Sequence, residues 1–477
     1  MDIRRFHWIA AGTLLVATAL AGAATRGPGR NAVAVGPSNA TTFAAPPKGR
    51  VTFSGTLDRT AVLRGRDGLA RLELFIAATP DEPATATTRR PTDVVIILDR
   101  SGSMGGEKIM HARAAVRELI GQLAPEDRFA LVTYADSAGL TIPLEPVSPG
   151  LQAAWLAAVA AVQPTGSTNM SNGLDVGFDV VQAARMSGRV PHMILISDGL
   201  ANQGDASLEG LTNRARRAAQ GEFMLSTVGV GADFNESLMA AMADSGTGNY
   251  YYLQNAADLA TVFAREFDAA RTTVASALAV QIEPAAGVQV VDAAGYPLEL
   301  AGDRVLFRPG SLFAGQQRRI WVTLAAPQQT VGMHDLGRFS LSYGDGQERT
   351  TLTFTEMPRI ACVESEDQFY ASLDVPSWTR SVLVDGYNKM QETVAREVKA
   401  GRRDEALEAV RQFRAETSLL NDHVQSAPVG ERLRGLGELE DDVNALFVGP
   451  EQAERQNFLS KSMGLGAVDA RRAGSKK

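Results

Sequence analysis

Between residues 93 and 270 the chain alternates short, almost unbroken apolar runs with longer segments of helical period. The apolar runs are VVIILD (94–99), RFALVTYA (128–135), HMILIS (192–197), FMLSTVGV (223–230) and YYYL (250–253). Between them lie EKIMHARAAVRELIGQL, LQAAWLAAVAAV, SNGLDVGFDVVQAAR, SLEGLTNRARRAAQ, ESLMAAMAD and AADLATVFAREFDAA. A strand that is apolar on both sides must be covered on both faces, and amphipathic helices supply the cover. The pattern therefore predicts an α/β fold, a doubly wound and mostly parallel sheet. Right-handed crossovers gather the carboxyl ends of its strands along one edge, where such sheets bind ligands.

The flanks read differently. VTFSGTLDR and ARLELFIAA, before the α/β region, alternate apolar with polar residues as half-buried strands do. LAVQIEP, VQVVDA, DRVLFR, RRIWVTLAA and FSLSYGDGQERTTLTF, after it, repeat that signature between turn residues. The simplest arrangement is one β-sandwich built from both flanks (51–80 and 275–358), with the α/β unit (91–270) inserted in it or flanked by it. Residues 377–448 then show apolar positions at three- and four-residue intervals, as in a helical hairpin or bundle, and 449–477 read as a tail. The third helical segment, ELEDDVNALF, is expected only after a glycine-interrupted stretch.

The N-terminus, with Arg4 and Arg5, an apolar stretch and then Ala21-Gly22-Ala23, fits a secretory signal over residues 1–24, followed by a linker at 25–50. An uncleaved anchor is the plainer alternative, and would be the sole membrane contact. With one cysteine, Cys362, the chain forms no internal disulfide. Export without disulfides fits a bacterial periplasm or cell surface. The net charge of −7 comes without a basic block, which argues against nucleic acid as a partner. The five histidines are scattered without zinc spacing. Neither a phosphate-binding G-x-x-x-x-G-K-[ST] loop nor a G-x-S-x-G elbow occurs, so no enzymatic activity is expected.

The first apolar run ends in DRSGSM, which places Asp99, Ser101 and Ser103 at the ligand edge. PTGSTNMSNGL puts Thr168 in a loop before a helix, and ILISDG puts Asp198 at the end of another strand. Taken singly, these are ordinary turn and cap residues. As a set they are five oxygen-bearing groups converging on one edge, without sulfur or nitrogen. Such a set suits Mg²⁺ or Mn²⁺, and Ca²⁺ less well because it wants more ligands.

DRSGSM followed by STN and SDG, in this order within an α/β alternation, resembles the von Willebrand factor type A (VWA) domain with a complete metal-ion-dependent adhesion site. The resemblance covers about residues 93–270. It implies that Ser101, Ser103 and Thr168 give hydroxyl oxygens to the metal, and that Asp99 and Asp198 bind it directly or through water. It also implies that a protein partner completes the coordination with an Asp or Glu carboxylate. The expected function is thus that of an exported, non-enzymatic binding or adhesion protein. The alternative is a VWA subunit of an intracellular AAA-type ATPase assembly, which the N-terminal segment disfavours.

Overall fold

The computed structural model describes residues 41–79, 91–184, 186, 189–221, 223–231, 235–253, 273–345 and 348–448, with isolated positions from 452 to 463. The N-terminal segment expected to be a signal, the helix expected at 256–270 and most of the tail lie outside these residues.

The α/β unit contains a six-stranded sheet. In spatial order its strands are Thr247–Leu253, Met224–Val230, Val190–Ser197, Thr92–Asp99, Arg128–Tyr134 and Ala138–Pro146. Neighbours run parallel except at the last pair, where Ala138–Pro146 returns antiparallel. Every residue of Thr92–Asp99 is buried, as a central strand requires. Its alternate residues serve opposite faces. Val94, Ile96 and Leu98 pack with helices Glu107–Gln122 and Pro149–Ala161. Val95 and Ile97 pack with Met170–Ala183, Leu208–Gln220 and Glu236–Ser245. Each such buried aliphatic side chain contributes about 1.5–3 kcal/mol, so this strand is a firm base for whatever follows Leu98.

From Thr92–Asp99 the chain crosses first to Arg128–Tyr134 on one side and later to Val190–Ser197 on the other. The strand order therefore reverses between Thr92–Asp99 and Val190–Ser197. A crevice opens at such a point, outside the carboxyl ends of the strands. Asp99 and Asp198 stand at those two ends.

The β region joins both flanks, as expected. Leu69–Ala78 pairs antiparallel with Gln317–Ala325 from Gln317↔Ala77 to Ala325↔Leu69, within a sheet ordered Thr42–Ala44, Val51–Leu57, Leu69–Ala78, Gln317–Ala325, Gln289–Ala293. A second sheet contains Glu299–Ala301, Arg304–Phe313, Thr273–Pro284, Gly337–Gly344 and Arg349–Thr353. Residues of the two sheets share one core, including Phe53, Leu72, Leu74, Val280, Phe307 and Leu341. The chain leaves this sandwich after Ala78 and re-enters it at Thr273, so the α/β unit is an insertion between its strands. Thr42–Ala44 is a strand where a linker was expected; three residues are too few to display an alternation.

The C-terminal helices Tyr387–Lys399, Arg403–Val424 and Ala427–Ala445 form their own core around Val394, Val398, Val410, Leu436 and Val443. Ala427–Ala445 continues through Gly430, Gly435 and Gly437 instead of starting after them. Each mid-helix glycine costs about 1 kcal/mol relative to alanine. Val429, Leu436 and Val443, two turns apart and buried, outweigh that cost. Glu73, buried in the sandwich, ties the parts together by accepting from Arg319 (2.7 Å) and Arg380 (2.9 Å).

Candidate functional site

The loop after Thr92–Asp99 is anchored from below by Met104, fully buried in the core under helix Glu107–Gln122. It is laced to the Thr168 loop by backbone bonds from Gly102 N to Gly166 O (3.0 Å) and from Thr165 N to Arg100 O (2.8 Å). The Thr168 loop is laced in turn to the Asp198 loop. Thr168 N donates to Asn202 Oδ1 (2.8 Å), and Thr168 O accepts from the N–H groups of Asn202 and Gln203. Three loops far apart in sequence thus meet at the crevice, carrying Asp99, Ser101, Ser103, Thr168 and Asp198 together.

Asp99 and Asp198 are both fully buried, at 0% exposure, whereas Ser103 stands at the exposed rim. Asp99 Oδ1 accepts from the Ser101 N–H (2.8 Å); Oδ2 accepts from Ser197 Oγ (2.6 Å) and Tyr134 Oη (3.3 Å). Burial pushes the Asp99 carboxyl above the usual range, against the pull of these donors, and the charge of Asp198 adds to the upward push. Burial likewise drives the Tyr134 phenol well up, with Asp99 adding to it, so it remains a donor. The Ser101 and Ser103 hydroxyls lie 3.1 Å apart. Asp198 Oδ2 accepts from Lys108 Nζ at 2.9 Å.

Two buried carboxylates that repel each other, with hydroxyls beside them, form a donor set that fits a hard divalent cation. Among the described residues no three His, Cys, Asp or Glu side chains are arranged as metal ligands. A cation at this edge would therefore rest on the two aspartates and neutral hydroxyls.

Several residues that shape the site are silent in the sequence. Ser197 and Tyr134 belong to apolar runs and look like strand residues, yet both turn their oxygens to Asp99. Asp136 holds the Thr168 loop by accepting from the Ser167 N–H (3.0 Å) and hydroxyl, and the Ser167 hydroxyl is the main cause of its lowered carboxyl pKa. Gly166, at φ +67°, is required there: a Cβ would fall 2.0 Å from Asp136 Oδ2. Gly173 is required for a different reason. A Cβ on it would lie 2.8 Å from Cγ of the Tyr134 ring, which is fixed at its base and cannot swing away. Gly173→Ala should therefore lower the denaturation midpoint by the equivalent of about 1–3 kcal/mol, the usual cost of overpacking. An unchanged urea midpoint would contradict this close approach.

Fold and site edge together define a VWA domain, and residues 93–265 match the family model described as von Willebrand factor type A domain. The chain carries that domain within a larger architecture. It is 29% identical over 194 residues to the uncharacterized protein YfbK of Escherichia coli, covering 40% of this chain and 33% of the relative. It is 24% identical over 346 residues to an uncharacterized protein of Synechocystis sp., covering 70% of this chain and 80% of the relative. It is also 28% identical over 162 residues to human inter-alpha-trypsin inhibitor heavy chain H4, covering 33% of this chain but 17% of that protein. Among solved structures, the von Willebrand factor type A protein from Catenulispora acidiphila matches 90% of this chain and 98% of its own with a TM-score of 0.62 at 16% identity. That likeness of fold extends beyond the VWA domain into the flanking sheets and helices.

Proposed function

We propose that this is an exported, non-enzymatic binding protein that holds Mg²⁺ or Mn²⁺ at Asp99, Ser101, Ser103, Thr168 and Asp198 and captures a carboxylate of a protein partner there. The observation that carries the reading is the pair of fully buried aspartates, Asp99 and Asp198, held by three interlaced loops at the reversal point of the sheet. Bound there, a divalent cation supplies an electrophilic contact for an incoming Asp or Glu. The chain's own residues prepare that contact. Neutral hydroxyls from Ser101, Ser103 and Thr168 would add ligands without quenching the positive charge. Ser197 and Tyr134 hold Asp99 in one orientation, as outer partners of metal ligands do.

The non-enzymatic part is supported by what surrounds the serines. Ser101 pairs with Ser103, not with a histidine. His192 pairs with Ser226, while His334 and His423 contact the carbonyls of Thr330 and Leu419, so these three are engaged elsewhere. Export rests on the signal-like residues 1–24 alone. Among the described residues no helix is long and apolar enough to cross a membrane.

The test is a crosslinking pull-down from envelope extract with the full-length protein in Mg²⁺, in EDTA, and with Asp99→Ala. A partner should be retained in Mg²⁺ and lost under the other two conditions. Capture indifferent to both would place recognition on another surface.

A further inference from the structure

Resting on the proposed metal site, we propose that Lys108 is a tethered counter-cation that occupies one oxygen of Asp198 and so weakens metal binding at this edge. Lys108 is the second residue of helix Glu107–Gln122, at the end where the helix dipole disfavours positive charge. It gains nothing from its own helix and needs an acceptor outside it. That acceptor is Asp198 Oδ2, 2.9 Å from Nζ, on a carboxylate with no solvent exposure of its own.

The lysine stem is also accommodated. Gly231, at φ +88° just after strand Met224–Val230, lies under it. A Cβ at this position would come within 2.6 Å of Lys108 Cε and 3.2 Å of Cδ. Helix start, strand end and Asp198 loop therefore converge on one side chain, which is itself only 24% exposed. Asp198 Oδ1 accepts a long bond from the Leu200 N–H (3.4 Å) and is the oxygen that remains to meet a cation.

Two consequences follow from charge alone. A divalent cation must share Asp198 with the ammonium and is repelled by it, so Lys108 lowers affinity. With the cation bound, two carboxylates and one ammonium leave the cluster net positive rather than neutral, which suits capture of a further carboxylate. Lys108 is thus a positioning residue that trades metal affinity for a more electrophilic site.

Calorimetric titration of Mn²⁺ into the full-length protein near pH 7.5 tests this. Lys108→Met keeps the stem over Gly231 without the charge, and should bind Mn²⁺ on the order of tenfold more tightly than the unmodified protein. Without metal its melting temperature should fall, because Asp198 is left buried and uncompensated; saturating Mn²⁺ should restore it, giving a larger metal-induced rise than the unmodified protein shows. Should the metal-free Met variant not fold, Lys108→Gln offers a neutral N–H donor for Asp198, and the same tightening is expected. Lys108→Arg, which retains the charge, should not tighten binding. Equal or weaker affinity in the neutral variants, with the unmodified protein binding normally, overturns the role of Lys108 and leaves the metal site standing. Absence of Mn²⁺ binding in every protein overturns both.

Discussion

Asp99→Ala should abolish measurable Mg²⁺ and Mn²⁺ binding while leaving the protein folded. Removing an outer partner of a metal ligand typically costs 10–100-fold in affinity, and loss of a directly charged ligand should exceed about 100-fold. The fold should survive because the substitution acts in two opposed ways. It removes a fully buried carboxylate whose pKa burial has raised, and with it the repulsion from Asp198. It also strips the acceptor from the Ser101 N–H, Ser197 Oγ and Tyr134 Oη, at about 1–3 kcal/mol for each buried donor left unpaired. These changes partly offset, so the metal-free variant should stay folded with a lowered melting temperature. The metal-induced rise should vanish, since stabilisation by a ligand depends on its binding to the native state. Calorimetry and thermal scans with and without Mg²⁺ read both effects. Undiminished affinity in the variant would remove Asp99 from the site.

Local sequence pattern carries information where burial or chemistry constrains every position of a short segment. Central strands are legible because burial on both faces demands apolar residues at every position, as in VVIILD. The ligand edge is legible because DRSGSM, STN and SDG interrupt apolar runs with small oxygen-bearing residues. The antiparallel edge strand Ala138–Pro146 is not legible, since only Ile142 of its nine residues is buried, which leaves no alternation to read. Thr247–Leu253, by contrast, is legible as a strand from its run of apolar and aromatic residues, and it sits at the sheet's other edge with the Tyr250 ring buried.

What escapes the sequence is pairing across distance. Nothing in LARLELFIAA marks Glu73 as a buried anchor for Arg319 and Arg380, because in an alternating strand a glutamate reads as a solvent-facing residue. Lys108 similarly reads as a charged helix residue until the fold brings Asp198 to it. The five oxygen-bearing residues proposed as ligands are visible as a set; the groups that hydrogen-bond or ion-pair with them are not, because each lies on a different element.

The largest expected loss of stability lies outside the VWA domain. Trp378→Ala should destabilise the C-terminal helices by about 3–5 kcal/mol, the range for truncating a fully buried aromatic residue. Trp378 is 0% exposed and lies on the short helix Val375–Arg380, whose first turn is capped by Asp374 accepting from the Ser377 N–H (2.9 Å). Its ring packs with Leu373, Val382 and Val429, drawn from before, after and well beyond that helix. The ring therefore fills a junction that no single neighbour can close once it is gone. Two residues on, Arg380 reaches Glu73 in the sandwich, so a shift at this helix weakens the tie between helices and sandwich. The helical core and the sandwich core are separate clusters, and proteins built this way need not unfold in one step. In urea the variant should show helical signal lost in an early transition, followed by a later one near the midpoint of the unmodified protein. Mn²⁺ affinity in the absence of urea should be unchanged, since no residue around Trp378 belongs to the cores beneath Asp99 and Asp198. A single unshifted transition would mean that the junction closes without the indole. A matching loss of metal affinity would mean that the helices and the metal edge are coupled through the sandwich.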